Sequence, residues 1–197
     1  DYVIDIAEES YAVGFDEINF DYIRFPSDGN MQDIYFPLSD GKDKSVVLES
    51  FFAYASDKLR TGDHPIPLSA DLFGMTATNA DDLGIGQVLE KAAPHFDYIA
   101  PMVYPSHFPN TWNGFKNPAE HPYDVIKITM DKAGDRMEAM GEPRTKIRPW
   151  LQDFNLGATY TAEMVKAQMT ATYDAGLTSW LMWDPKNNYT KGAYALE

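Results

Sequence analysis

The chain contains no cysteine, so disulfides, thiolate nucleophiles and cysteine-ligated metals are excluded, and the redox compartment stays open. Basic side chains are scarce. Sixteen Lys and Arg stand against 30 Asp and Glu, a formal net charge of −14 that disfavours the phosphate neutralisation nucleic-acid binding needs and any attraction to anionic membranes. No apolar run approaches the ~18 residues of a membrane helix, so no membrane insertion is expected. The opening segment DYVIDIAEES has neither the basic start nor the cleavage site of a signal peptide. No G-x-G-x-x-G joins a strand to a helix, which removes support for a dinucleotide cofactor. A G-x-S-x-G elbow is missing too, and His64, His95, His107 and His121 show no compact ligand spacing. No cofactor and no metal are therefore expected.

What is present is enough apolar side chain, 44% of 197 residues, to build a core for one domain or a large, partial piece of one, taken as residues 1–197. Aromatic residues, 14% of the chain with 12 Tyr and 4 Trp, suit stacking on sugar rings and equally suit an ordinary core. Residues 2–13 carry Val3, Ile6, Ala7, Tyr11 and Val13 at helical spacing, and Gly14 supplies a stop. Between Phe15 and Phe25 the period becomes two, with Ile18, Phe20 and Tyr22 against Glu17, Asn19 and Asp21, which predicts a strand. A second helix is predicted from VVLESFFAYASDKLR, with Val47, Phe51, Tyr54 and Ala55 on one face. The alternation then repeats through strand PIPLSADLF, helix DDLGIGQVLEKAA, strand FDYIAPMVY, helix YDVIKITMDKAGDRMEAM, strand KIRPWLQDF, helix TAEMVKAQMTATYDAG and strand LTSWLMWDP.

Strands alternating with helices specify an α/β fold with a parallel sheet. Five strands do not close a (β/α)₈ barrel, which takes eight and usually about 250 residues. The expectation is therefore the C-terminal portion, about five β/α units, of a TIM-type (β/α)₈ barrel, with roughly three strands in an upstream segment of the same barrel that would act as its partner. A self-sufficient five-stranded fold is the alternative.

In parallel barrels the functional groups come from the C-terminal ends of strands. Those ends carry Asn19, Asp21 and Arg24; Ser69 and Asp71; Tyr104, Ser106 and His107; Trp150, Gln152 and Asp153; and Trp183, Asp184 and Lys186. Asp21 shares a polar face with Asn19 and Glu17, and a lumen-facing acid at a strand mouth is often functional because burying a carboxylate costs several kcal/mol unless it is paired. An internal ion pair with Arg24 or Arg148 is the competing account. Asp71 ends the next strand, and two facing carboxylates are what glycoside hydrolysis requires. A separation of ~5 Å implies retention and ~6.5–9.5 Å inversion. Capping within DLFGMTATNADD is the plainer role for Asp71. Asp153 falls off the face shared by Arg148, Trp150 and Gln152, so it lies past the strand end or faces outward. Asp184 opens an Asp-Pro turn. His107 suits orientation of a carboxylate or sugar hydroxyl, or a loop satisfying its own backbone.

The segments GFDEINFDYIRFPSDG, DLGIGQ, DYIAPMVYPSHF and KIRPWLQDF resemble the bacterial putative glycosyl hydrolase domain family, over nearly the whole chain. The family is similar in turn to α-amylase-like barrels, whose nucleophilic Asp, acid and supporting Asp lie on the fourth, fifth and seventh strands. With three strands upstream, the resemblance implies those places for Asp21, Asp71 and Asp153. Asn19 departs from the amylase Arg, and Asp71 from its usual Glu. Against the chitinase-like D-x-x-D-x-D-x-E strand, Asp16 and Asp21 match, whereas Asn19 and Ile23 replace the third carboxylate and the catalytic Glu.

The expected function is glycoside hydrolysis of a polysaccharide or cell-envelope glycan, outside the cytoplasm, by Asp21, Asp71 and Asp153. Asn19, Arg24, Tyr104, His107, Trp150, Gln152, Trp183 and Asp184 would bind the carbohydrate substrate. The alternative is a non-catalytic carbohydrate-binding barrel.

Overall fold

The computed structural model describes residues 1–61 and 65–194. Five strands form one sheet in sequence order: β1 (Ile18–Phe20), β2 (Leu68–Phe73), β3 (Tyr98–Met102), β4 (Trp150–Gln152) and β5 (Leu181–Trp183). Helices lie between them: α1 (Tyr2–Ala12) before β1, α2 (Lys44–Leu59), α3 (Leu89–Ala92), α4 (Pro122–Ala139) and α5 (Ala162–Asp174). The recorded pairs β1–β2, β3–β4 and β4–β5 are all parallel, as successive β/α units require. The chain falls into two compact units, one of Asp1–Leu72 with Asn79–Ile99, the other of Phe73–Thr78 with the residues from Ala100 onward.

In the first unit Ile18, Asn19 and Phe20 stand opposite Leu68, Ser69 and Ala70. Phe20 packs edge-on against Phe51 and Phe96, each 6.2 Å away between ring centres, in the T-shaped geometry that aromatic quadrupoles favour. Strand β2 is buried on both faces through Leu72, as a strand covered by helices should be. Its start is tied by Asp97, whose carboxylate accepts from the Leu68 backbone N–H at 2.8 Å and from Arg60 at 2.6 Å.

Four expectations for this unit need correction. Strand β1 has only three residues, because Tyr22 adopts φ +55 and turns the chain just after Asp21. The apolar stripe expected on α1 reaches the core only at Ala7: Val3, Ile6 and Val13 are exposed, and Ile4 is buried instead. In α2, which Asp43 caps by accepting from the Ser45 N–H, the expected Ala55 is buried, but its buried companions are Ser45, Phe52 and Leu59, while Val47, Phe51 and Tyr54 are only half-buried. The helix expected over residues 81–93 shrinks to Leu89–Ala92, since Leu83, Gly84 and Gly86 all take positive φ. A Cβ on Gly86 would lie 2.9 Å from Leu48 and 3.0 Å from the Lys44 carbonyl, so this tight turn requires glycine.

In the second unit α4 packs along α5, burying Val125, Ile126, Met130, Ala133 and Met137 in a run of helical spacing. Arg144 clamps the end of α4, donating to Glu138 at 2.6 and 2.8 Å and to the Ala175 carbonyl at 2.9 Å. Strand β4 pairs with β5 so that Trp150, Leu151 and Gln152 face Leu181, Met182 and Trp183. Among the described residues no helix is long and apolar enough to cross a membrane.

Candidate functional site

Each unit carries polar groups near strand ends. In the first, Asn19 reaches from β1 to β2, its amide donating to Ser69 Oγ at 2.9 Å and to Asp71 Oδ1 at 3.0 Å. Asn19, rather than Asp21, is thus the residue of β1 seen to meet the Asp71 carboxylate. Asp71 is 5% exposed and lies within β2 rather than at its end. Beside it the buried Gln87 donates to the carbonyls of Ile23 and Asp71, joining the loop after β1 to β2.

Asp21 sits one residue past β1 and is exposed. It lines a groove of about 370 Å³ whose other walls include Val3, Ile6, Phe15 and Phe20. The continuous polar face expected for Glu17, Asn19 and Asp21 is therefore lost at the strand's early end. Arg24 is not ion-paired to Asp21. Its guanidinium lies 4.2 Å over the Tyr22 ring and donates to the Tyr22 hydroxyl, Ser27 Oγ and the Phe25 carbonyl, bracing its own loop.

In the second unit Tyr104, Ser106 and His107 follow β3, and Gln152 closes β4. Gln152 and Gln168, both fully buried, are locked together: the Gln152 N–H donates to Gln168 Oε1 at 2.9 Å, and Gln168 Nε2 returns a 2.7 Å bond to the Gln152 carbonyl. Gln152 Oε1 accepts from Ser106 N–H at 3.1 Å and Ser106 Oγ at 2.8 Å, while Ser106 Oγ also lies 3.1 Å from His107 Nδ1. His107 is exposed overall, but its ring packs edge-on to Tyr104 and Phe154, and desolvation of that flank lowers its pKa. Trp150 meets Trp183 at 6.0 Å, with Trp183 left 42% exposed.

Asp153 lies just past β4 and is buried. Oδ2 accepts from Thr190 N–H and Tyr194 Oη, both at 2.7 Å, and Oδ1 accepts from Thr190 Oγ1 at 2.6 Å, so the carboxylate anchors the segment after β5. Burial, and after it this hydrogen bond, raises the Tyr194 pKa. Asp184 makes the expected turn, accepting from the N–H groups of Lys186 and Asn188. Asp153, Asp184, Tyr160, Lys186 and Thr190 are among the residues lining a cavity of about 300 Å³ at the ends of β4 and β5.

Sequence reasoning missed Gln87, Phe154, Gln168, Thr190 and Tyr194. Only Gln168 left a usable trace, a lone amide in the buried stripe Val165, Gln168, Ala171, Thr172 of α5. His64 lies outside the described residues. Among the described residues no three His, Asp or Glu side chains converge to hold a metal.

A family model described as "Putative glycosyl hydrolase domain" matches residues 1–189. The chain belongs to this family. No curated protein sequence matches it. Its fold is shared with solved structures. The chain is similar to the PgaB (BpsB) glycoside hydrolase domain from Bordetella bronchiseptica, with TM-score 0.59 and 14% identity over 93% of this chain and 57% of that one. It is similar also to the spore cortex-lytic enzyme SleL of Bacillus cereus, with TM-score 0.62 and 11% identity over 98% of this chain and 51% of that one. SleL from Bacillus megaterium QM B1551 gives TM-score 0.59 and 12% identity over 97% and 50%. The chain thus spans about half the length of these solved chains, and at such identities the likeness shows the fold: consecutive β/α units of a partial (β/α) barrel.

Proposed function

We propose that this domain contributes to a glycoside hydrolase that cleaves O-glycosidic bonds of a polysaccharide or cell-envelope glycan outside the cytoplasm. One observation carries the reading: Asp71 is a buried carboxylate on β2 held by the amide of Asn19, in a chain that matches the family described as "Putative glycosyl hydrolase domain" and shares the fold of a solved glycoside hydrolase domain. Asp71 is assigned the role of the acid that protonates the leaving glycosidic oxygen. Asp21, exposed just past β1, is assigned the nucleophile or general-base role, and Asp153 a supporting one that acts through the segment it anchors. His107, Tyr104, Trp150, Gln152, Trp183 and Asp184 are assigned to sugar contacts, with Asn19 orienting Asp71 and Arg24 bracing the loop that carries Asp21. Envelope location is supported by the likeness to a spore cortex-lytic enzyme.

The test is a screen of the intact protein on defined glycans, followed by Asp71→Asn and Asp21→Asn. Loss of at least about a hundredfold in kcat for each, with folding retained, is the expected result. Undiminished cleavage by both variants would end the two-carboxylate assignment. Glycan binding with no cleavage by the parent would favour the non-catalytic carbohydrate-binding barrel.

A further inference from the structure

The hydrogen bonds around Gln152 leave only one arrangement of protons. Gln152 Nε2 lies 2.9 Å from the Phe154 carbonyl, which can only accept, so the amide nitrogen must face it. Ser106 N–H, which can only donate, lies 3.1 Å from the other amide atom, so that atom must be the oxygen. The amide orientation is therefore set twice over. Ser106 Oγ, 2.8 Å from the same oxygen, must spend its only proton there. What remains toward His107 Nδ1, at 3.1 Å, is a lone pair, and Nδ1 must carry the proton. A neutral imidazole protonated on Nδ1 presents Nε2 as a bare acceptor. Burial of its flank against Tyr104 and Phe154 favours the neutral ring.

We propose that His107 is a specificity-determining residue of the glycan site, held by the Gln152–Ser106 relay as the Nδ1–H tautomer so that Nε2 accepts a hydrogen bond from a sugar hydroxyl. The inference rests on the glycan-directed function above and deepens it. A bare Nε2 can only accept, so the sugar it selects presents a hydrogen-bond donor, not a carboxylate or phosphate, at that position. Gln152 and Ser106 are positioning residues: they act through the imidazole. Gln168 stabilises the same arrangement one step further back by locking the Gln152 backbone.

The tautomer is measured directly by long-range proton–nitrogen correlation on the intact protein labelled with nitrogen-15 histidine, at neutral pH, with His107→Gln identifying the signals. Nδ1 is expected to resonate as a protonated nitrogen and Nε2 as an unprotonated one. Ser106→Ala is expected to release the preference toward the Nε2–H form that free histidine favours, and Ser106→Thr, which keeps the hydroxyl, to restore it. Cellohexaose and chitohexaose are the probes for binding. The one that binds is expected to shift the Nε2 signal, and His107→Phe to weaken that binding about tenfold while His107→Gln, which keeps an acceptor, weakens it less. An Nε2–H tautomer in the parent, or a tautomer indifferent to Ser106→Ala, overturns the relay whatever the glycan result. The expected tautomer with an Nε2 signal unmoved by a bound hexasaccharide overturns the hydroxyl contact. Failure of both hexasaccharides to bind counts against the glycan-directed reading itself and leaves the tautomer result standing.

Discussion

The amide of Asn19 lies 3.0 Å from Asp71 Oδ1 and 2.9 Å from Ser69 Oγ, so a single side chain on β1 holds two groups of β2. A carboxylate that is 5% exposed depends on such donors, since losing one leaves desolvation uncompensated. Asn19→Ala is expected to lower stability by about 1–3 kcal/mol. Asn19→Leu, similar in size but without the amide, should cost at least as much. Urea denaturation of both variants checks this, and an unchanged midpoint in each would show that the bond contributes nothing.

The alternation of strands and helices was legible because each β/α unit switches hydrophobic period from two to 3.6. The errors fall where tertiary packing or backbone sign decided the outcome. β1 stops at Phe20, and Tyr22, two residues on, takes a left-handed conformation that nothing in INFDYIRF announces, so Asp21 lies off the strand face that alternation assigned to it. In α2, apolar residues occupy more than one face, so beside Ala55 the residues Val47, Phe51 and Tyr54 looked as eligible for the core as Phe52 and Leu59. The candidate carboxylates were visible as strand-end acids. Their hydrogen-bond partners, such as Thr190 and Tyr194 for Asp153, lie 37 and 41 residues away in sequence, and no local pattern encodes that distance.

Gly74 follows β2 where the backbone passes very close to β3. A Cβ there would lie 2.2 Å from the Met102 carbonyl oxygen and 2.9 Å from its carbon, and both are backbone atoms that cannot rotate away. Gly74→Ala is expected to destabilise the protein by about 1–3 kcal/mol or more, through displaced backbone. Gly29→Ala, whose Cβ meets nothing within 4 Å, serves as the comparison for a purely conformational cost at φ +83. Equal melting temperatures for the two variants would contradict the close approach.

The buried Tyr160 and the half-buried Tyr194 make the fold sensitive to alkali. Burial raises the pKa of Tyr160, and burial with the Asp153 hydrogen bond raises that of Tyr194, both from the ordinary value of 10.0. Between the unfolded and folded values the unfolded chain has lost protons that the native state keeps, so stability is fully present below about pH 10 and falls as pH rises above it. Denaturation midpoints measured on either side of pH 10 should show the decline. Tyr160→Phe and Tyr194→Phe should each flatten it, and a decline of the same slope in the double variant would place its origin elsewhere.

Trp183 and Asp153 are near neighbours in the strand order, yet substitutions at them should separate binding from folding. Trp183 is 42% exposed at the end of β5 and rests edge-on against Trp150, so its free surface is available for stacking while little of the core depends on it. Asp153 is buried, and its carboxylate is taken up by Thr190 and Tyr194. Trp183→Ala is expected to weaken glycan binding by about 1–2 kcal/mol while shifting the denaturation midpoint only slightly. Asp153→Ala strands the donors of Thr190 and Tyr194 and is expected to cost about 2–4 kcal/mol of stability, with the residues after β5 becoming more rapidly exchanging. Amide hydrogen exchange over residues 184–194 together with glycan titration distinguishes the two. Intact protection after Asp153→Ala would show that the anchor is dispensable and would free that carboxylate for a direct part in the chemistry.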